Sequence, residues 1–443
     1  MGKEAGLTPT VPIWERLFVV VVFVSASRGF ISMQGLFSSS HGATSDLGDS
    51  STARFAWLAT FYAIALMLLV VHHSRDILKL VAQNKLLVLL IAYILLSTTW
   101  AFDPNASLRR AAAFGLTAAV GAYLALRFRP TEILELAGWG LLVVAVLSVI
   151  AAVVFPEYGR ELYGRKMGWW KGICGINTAF GRFMALGILV IWCLRRVNWK
   201  LQRFDVLVCG LFLICTYQAH AATALAAVFG AFCSILAVWS RSLFNIELAP
   251  KVLIGILVGL VLLATVPLYL GDVLLLLGRD ETLTNRVYIW GAAFEQGWHN
   301  PVFGVGYGSF WIEGNASAAF YNMFGSGNTL VGNGHNGYLD VWLELGFVGL
   351  GLMLLLMIQA FVRVIRHLNV SDNPFAEFYG GLLVFILIYS VAEKVIFVHS
   401  EFTWMMFMVG LMALRWRLAP AIQGEGVGRN WEAALPQASQ RAP

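Results

Sequence analysis

About twelve stretches of this chain are long and apolar enough to cross the hydrocarbon core of a bilayer, which takes about 20 such residues in a helix. They fall at roughly 17–36, 53–72, 84–101, 110–127, 133–155, 176–194, 204–219, 221–239, 251–270, 337–361, 376–394 and 398–415. Backbone polar groups find no water in lipid, so each stretch must satisfy its own as a helix. The pattern therefore predicts an all-α polytopic membrane protein. Composition agrees. The chain is 59% hydrophobic and 13% charged, against roughly 25% charged for soluble domains. The first stretch has the length of a signal peptide, but it lacks a small-residue cleavage site and further spans follow, so it reads as a span. No internal repeat is visible.

Lysine and arginine set the orientation. With the N-terminus in the cytoplasm, the inner loops collect Arg75, Lys79, Lys85, Arg127, Arg129, Arg195, Arg196, Lys200, Arg203, Arg241, Lys251, Arg363 and Arg366, and Arg415 and Arg417 follow the last span. Both termini are then cytoplasmic. The net charge of +6 and pI near 9.1 reflect this bias and do not argue for nucleic acid. The cysteines, Cys174, Cys193, Cys209, Cys215 and Cys233, form no CxxC or paired framework and read as buried small hydrophobes. Residues 419–443, rich in Ala, Gly, Pro and Gln, read as a disordered cytoplasmic tail. That leaves 1–418 as one membrane domain.

One outer loop stands apart. Roughly 271–336, about 65 residues, lie between the ninth and tenth spans, before the third-last helix, and loops of that length usually carry function. Within it Val287, Trp290, Phe294 and Trp298 recur near helical spacing, so one apolar face can lie along the membrane interface. Thr284 or Asn285 is the expected cap, and Asn300-Pro301 the expected stop. Gly304-Val305-Gly306-Tyr307-Gly308 reads as a flexible turn. Two further outer segments are basic: 156–175, with Arg160, Arg165, Lys166 and Lys171, and Trp100 to Arg110, ending in Arg109-Arg110. Positive charge held outside, against the topogenic preference, invites a reason, and an anionic ligand on that face is one.

His335 ends the long loop just before a helix expected to start near Asn336. The positive end of the helix dipole favours a neutral imidazole, which can accept a proton from a hydroxyl. An interfacial histidine that merely hydrogen-bonds reads equally well. Arg286 could hold a phosphate with its planar fork or be solvated among head groups. Arg109, Arg110, Arg165, Lys166 and Lys171 share that choice. Arg182 lies inside the sixth span. A charge there costs ~3 kcal/mol on insertion scales, so either it serves a site or it snorkels to the interface. Asp340 and Glu344 are four apart on the tenth helix and share a face. Glu393, Lys394 and Glu401, near the last outer turn, read as neutralising one another. The glycine run lacks a P-loop ending. No Asp-x-Asp occurs, and no His/Cys cluster has metal-ligand spacing, so neither a metal nor a cofactor is implied.

These residues resemble the O-antigen ligase and polymerase superfamily of bacterial inner membranes. The resemblance is carried by Gly334-His335-Asn336 running into Leu343-Glu344-Leu345-Gly346 and Gly349-Leu350. It is carried also by Thr282-Leu283-Thr284-Asn285-Arg286 with Ile289-Trp290, by Asn300-Pro301 and the glycines at 304, 306 and 308 before Phe310, by Trp100 through Pro104 to Leu108-Arg109, and by the large outer loop. Arg279-Asp280-Glu281-Thr282-Leu283-Thr284 is most similar to the exopolysaccharide polymerases, with Asn285 in place of their glycine. Where the family often has His-Lys-Asn, this chain has Gly175-Ile176-Asn177, and Arg182 or Lys171 is the expected substitute for the lysine.

The resemblance implies about 12 transmembrane helices and a periplasmic active site in the inner membrane. It implies an inverting, metal-independent glycosyltransferase that moves a glycan from undecaprenyl diphosphate to a sugar hydroxyl, as a repeat-unit polymerase for exopolysaccharide or O-antigen. A ligase acting on lipid A core is the alternative, and a lipid-linked sugar transporter or flippase a further one. His335 and Arg286 would be catalytic; Arg182, Lys171, Arg109, Arg110, Asn336 and Asp340 would bind substrate. The implied partners are the lipid-linked donor, a glycan or lipid A core acceptor, the bilayer and a chain-length regulator.

Overall fold

The computed structural model describes residues 11–27, 52–162, 166–197, 202–244, 281–312, 333–370 and 373–423. Side chains are described for these except 52–56, 196–197, 202–203, 238–244, 281–288, 370 and 415–423. The long helices are α1 (Ile13–Ala26), α2 (Thr52–Gln83), α3 (Lys85–Ser97), α4 (Pro104–Arg127), α5 (Pro130–Val154), α6 (Asn177–Val197), α7 (Gln202–Gln218), α8 (Ala222–Phe244), α9 (Glu281–Gly297), α10 (Gly337–Val370), α11 (Pro374–Tyr389) and α12 (Phe402–Gln423). No strand occurs among the described residues; a single antiparallel bridge joins Arg160 and Trp170.

Among the described residues, four helices are long and apolar enough to cross a membrane: Trp57–Gln83, Pro130–Val154, Asn177–Arg195 and Gly337–Asn369. Shorter apolar helices cover α3, α7, α8, α11 and α12. The chain is therefore a helical membrane protein. A helix stands at each predicted span except the ninth, 251–270, which lies outside the described residues. Of the cysteines, Cys174, Cys193 and Cys215 are buried as expected, whereas Cys209 is intermediate and Cys233 is exposed.

Local chemistry fixes several helix starts. Pro104, Pro130 and Pro374 occupy first-turn positions, where a missing N–H is harmless. Asp103 caps α4 through Ala106 N at 3.0 Å, and Asn373 caps α11 through Phe375 N at 3.0 Å. At the centre lies α12, buried throughout Phe402–Leu414. Trp404 stacks on Phe407 at 4.2 Å and meets Phe397 edge-on at 5.3 Å. Tyr379 of α11 donates to Phe407 O at 2.9 Å, and Gly410 leaves room for the Tyr379 ring. In lipid such close packing, rather than water exclusion, drives helix association.

At one end of the bundle, buried Glu15 accepts from Arg127 Nε and Nη2 at 2.7 Å each and from Tyr123 at 3.0 Å. Arg16 pairs with Glu132 at 2.6 Å. Arg363 donates to Asn84 Oδ1 at 2.7 Å and to the Leu411 and Gln83 carbonyls.

Two features depart from the sequence reading. The last pair of spans was expected at 376–394 and 398–415, yet α11 ends at Tyr389 and α12 begins at Phe402. Residues 390–401 form a loop, because Glu393, Lys394 and Glu401 bond to groups on other elements. Second, α10 is interrupted at Gly346, which has φ 66° and ψ −165°. The portion beyond it, 347–370, is ~36 Å long at 1.5 Å per residue, enough to span the bilayer without the first turns.

Candidate functional site

The break at Gly346 organises the opposite end of the bundle. It frees the Leu343, Glu344 and Leu345 carbonyls. These accept from Val305 N at 3.1 Å, Gly306 N at 2.9 Å and the Tyr93 hydroxyl at 2.8 Å. Beyond the break, Phe347 N and Val348 N donate to Pro301 O at 2.8 Å and Val302 O at 3.2 Å. A side chain at 346 would run into the Val302 backbone. The glycine run expected to be a flexible turn is thus bonded along its length, with positive φ at Gly304, Gly306 and Gly308. Ser107 donates to Tyr307 O at 2.7 Å, joining the Trp100–Arg110 segment to the same loop.

Helix α9 flanks this assembly. It starts at Glu281, ahead of the Thr284 or Asn285 cap expected. Trp290 donates to Gly334 O at 2.8 Å. Phe294 and Trp298 pack on Trp342 at 5.3 and 5.5 Å between centroids. Of the predicted apolar face, Trp290, Phe294 and Trp298 lean on the start of α10; the Val287 side chain lies outside the described residues. The Phe294 and Trp298 rings remain about half exposed.

Asn336 caps α10, accepting from Tyr338 N and Leu339 N at 3.0 Å. Asp340 is fully buried and holds the preceding turn: its Oδ1 accepts from Gly334 N at 2.9 Å and Trp311 Nε1 at 2.8 Å. Gly337 N donates to Ser390 O at 2.7 Å, which docks the 390–401 loop against the turn. Tyr307 donates to Phe397 O at 2.6 Å and lies 3.4 Å from His399 Nδ1.

The charges of the 390–401 loop, expected to neutralise one another, each reach a partner elsewhere. Lys394 Nζ lies 2.6 Å from Glu344 Oε1 and 3.9 Å from Asp340 Oδ2. Glu401 Oε1 lies 3.1 Å from Arg182 Nη2. Glu393 Oε2 lies 3.3 Å from His335 Nδ1. Burial alone would lower the Lys394 ammonium; the Glu344 and Asp340 charges outweigh it and hold it above its ordinary value, so Lys394 is charged at neutral pH. Glu344 also accepts from Gly308 N at 3.0 Å. Glu401 accepts from Trp404 N at 3.0 Å and from Thr403, capping α12.

These pairs surround a cavity of about 210 Å³. Arg110, Arg182, Lys394, Glu344, Glu393, Glu401, Tyr307, Trp311, Asn333 and His399 contribute to its wall. Arg182 is 5% exposed. Its guanidinium sits over Phe183 and Tyr389 at 4.9 and 5.3 Å. It does not snorkel out. Its Nε–H is buried and has no hydrogen-bond partner among the described residues.

Of the residues singled out in the sequence, Arg182 and Arg110 therefore meet at one cavity, Arg110 with Nη1 bonded to Gly308 O. His335 flanks it, two residues from Asn333, and touches it through Glu393. Asn336 and Asp340 stand behind the wall, with their side chains engaged in capping and turn contacts. Arg109 is exposed, and neither it nor Lys171 is in the wall. Arg286 lies on α9, and its side chain is outside the described residues, as is Arg165. Lys166 reaches Asn177 Oδ1 at 3.4 Å. Arg160 donates to Ala152 O at 2.8 Å. Sequence reading missed Lys394, Glu393, Glu401 and His399 as site residues. The available signal was the density of ionisable groups in a short segment between two apolar helices.

A family model described as O-antigen ligase matches residues 206–354. The exopolysaccharide production protein ExoQ of Rhizobium meliloti (strain 1021) is 24% identical over 358 residues, 76% of this chain and 78% of that protein. Both matches support the resemblance read from the sequence, to the O-antigen ligase and polymerase superfamily.

Proposed function

We propose that this protein transfers a glycan from a lipid diphosphate carrier to a sugar hydroxyl at the extracytoplasmic face of the bacterial inner membrane, as a repeat-unit polymerase. The observation that carries the reading is Arg182: a buried guanidinium in a cavity wall whose Nε–H has no partner among the described residues. An orphaned buried donor is costly, and an anionic oxygen would satisfy it. A leaving diphosphate supplies such oxygens. Arg182, Arg110 and Lys394 would stabilise its developing charge, and Arg286 is assigned to the same role on the resemblance alone. The proton of the attacking hydroxyl would be taken at the His335 end of the cavity. Displacement from the face opposite the diphosphate inverts the anomeric carbon. The polymerase reading is preferred to the ligase because the Arg279–Thr284 run resembles the polymerases and because ExoQ is named for exopolysaccharide production. In this reading there are twelve spans, both termini are cytoplasmic and the 271–336 loop is periplasmic.

The break in α10 keeps a transporter in view, since carriers build sites at discontinuous helices. The two readings separate cleanly. His335→Ala and Arg286→Ala are each expected to abolish glycan extension at normal protein level in the membrane, with single lipid-linked repeats accumulating on the outer leaflet. Full extension in both variants would reject these roles. Donor retained on the inner leaflet of a deletion strain would favour transport.

A further inference from the structure

We propose that Glu401 is a positioning residue, which holds the Arg182 guanidinium in one orientation for the leaving diphosphate; this rests on the glycan-transfer reading above. An arginine side chain turns about several bonds. A donor ordered before the reaction stabilises developing charge without reorganising at that moment. Arg182 stands in the cavity wall at 5% exposure. Phe183 and Tyr389 pack on its guanidinium, and Glu401 Oε1 lies 3.1 Å from its Nη2. The ion pair thus engages Nη2 and leaves Nε–H, unpartnered among the described residues, for an anionic oxygen.

Glu401 is itself fixed. Thr403 Oγ1 donates to its Oε1 at 2.8 Å, and Trp404 N to its Oε2 at 3.0 Å. Its carbonyl accepts from Met405 N at 2.9 Å, opening α12. Just before it, Ser400 sits at φ 55° and donates its N–H to Thr117 Oγ1 of α4 at 2.9 Å. Thr117 is fully buried and donates in turn to Ala113 O at 2.7 Å. Left-handed backbone at a non-glycine residue persists only where the surroundings impose it, and such residues collect at functional sites. Here α4 and α12 together fix the carboxylate that meets Arg182 of α6.

The other ion pair in the wall makes a weaker demand. Lys394 is a point charge on a flexible stem, whereas the planar fork of Arg182 binds an anion only in the right orientation. Glu401 has two tasks, capping α12 and holding Arg182, and they can be separated. Aspartate is a favoured N-cap, so Glu401→Asp keeps the cap and the charge. It shortens the side chain by one carbon–carbon bond, about 1.5 Å, and opens the contact with Arg182 beyond hydrogen-bond range. Glutamine has a single acceptor oxygen, so Glu401→Gln can serve the cap or the arginine and not both.

The test uses the full chain in vesicles with a lipid-linked repeat unit, measuring turnover and melting temperature together. Glu401→Asp should melt near wild type and lose at least about tenfold in kcat, and Glu401→Gln should lose no less. In an Arg182→Lys background, Glu401→Asp should remove less than about twofold more, because its effect passes through the guanidinium. A merely structural cap would give equal losses in both backgrounds. Turnover near wild type in either Glu401 variant would overturn the proposal, as would losses from Glu401→Asp that are equal with and without Arg182. Should Glu401→Asp fail to fold, Thr403→Val decides: it removes the hydroxyl that steadies Oε1, and kcat should fall a few-fold in the wild-type background and stay level in Arg182→Lys. An unchanged kcat there would also overturn the proposal. Wild-type protein that extends glycans beside unaffected Glu401 variants would remove Glu401 alone. Wild-type protein that forms no glycosidic bond would remove the underlying reading itself.

Discussion

Two buried charge clusters sit at opposite ends of this bundle, and they are built differently. Around Glu15, a bidentate arginine and a tyrosine hydroxyl bond both carboxylate oxygens. Around Arg182, Lys394 and Glu393, the ion pairs are strung about a cavity, and Arg182 Nε and Asp340 Oδ2 have no hydrogen bonds among the described residues. A saturated cluster fastens helices together. An unsaturated one with space in front of it is prepared to meet a ligand.

That contrast predicts a ranked series of effects. The largest belongs to Arg182. Arg182→Ala should lower glycan transfer by about 100-fold or more, and Arg182→Lys should recover little, because an ammonium cannot reproduce the planar fork. Activity within a few-fold of wild type in Arg182→Ala would dissolve the distinction between the two ends. Next comes Glu15→Ala, which strands Arg127. Removing one partner of a buried pair costs about 3–5 kcal/mol, so this variant should melt several degrees lower while each folded molecule keeps its turnover. Loss of turnover at unchanged melting temperature would show that the distal cluster also serves the reaction. The smallest effect is at Arg16, whose pair with Glu132 is partly exposed, 37% and 20%. Arg16→Ala should change stability by less than about 1 kcal/mol in the same melting assay, and a larger fall would mean that exposure misjudges this pair.

Much of the fold was legible because hydropathy and helix-start chemistry act over short stretches. The helix expected near Asn336 does begin there, whereas Asp103 before Pro104 and Asn373 before Pro374 carry the same local signal, which the sequence reading missed. Arg182 was legible for the opposite reason, as a charge where lipid forbids one. The 390–401 loop was hidden because Val395-Ile396-Phe397-Val398 continues the apolar run on either side, and only contacts with distant residues turn the chain there. The break in α10 was equally silent: Gly346 lies among Gly349, Gly351 and leucines, a composition that also suits an unbroken packing face. The cavity itself depends on pairs such as Lys394 with Glu344, 50 residues apart. Spacing along one helix correctly grouped Asp340 with Glu344, since both face Lys394, but it could not supply the lysine.

The most direct measurement follows new glycosidic bonds. Purified wild-type protein in vesicles, given a lipid-linked repeat unit on its accessible side, should yield carrier lipids bearing two or more repeats by mass. Free lipid diphosphate should appear in equal number to the bonds made, and His335→Ala should yield neither. Repeat units that cross the vesicle membrane while remaining single, with no diphosphate released, would contradict the account.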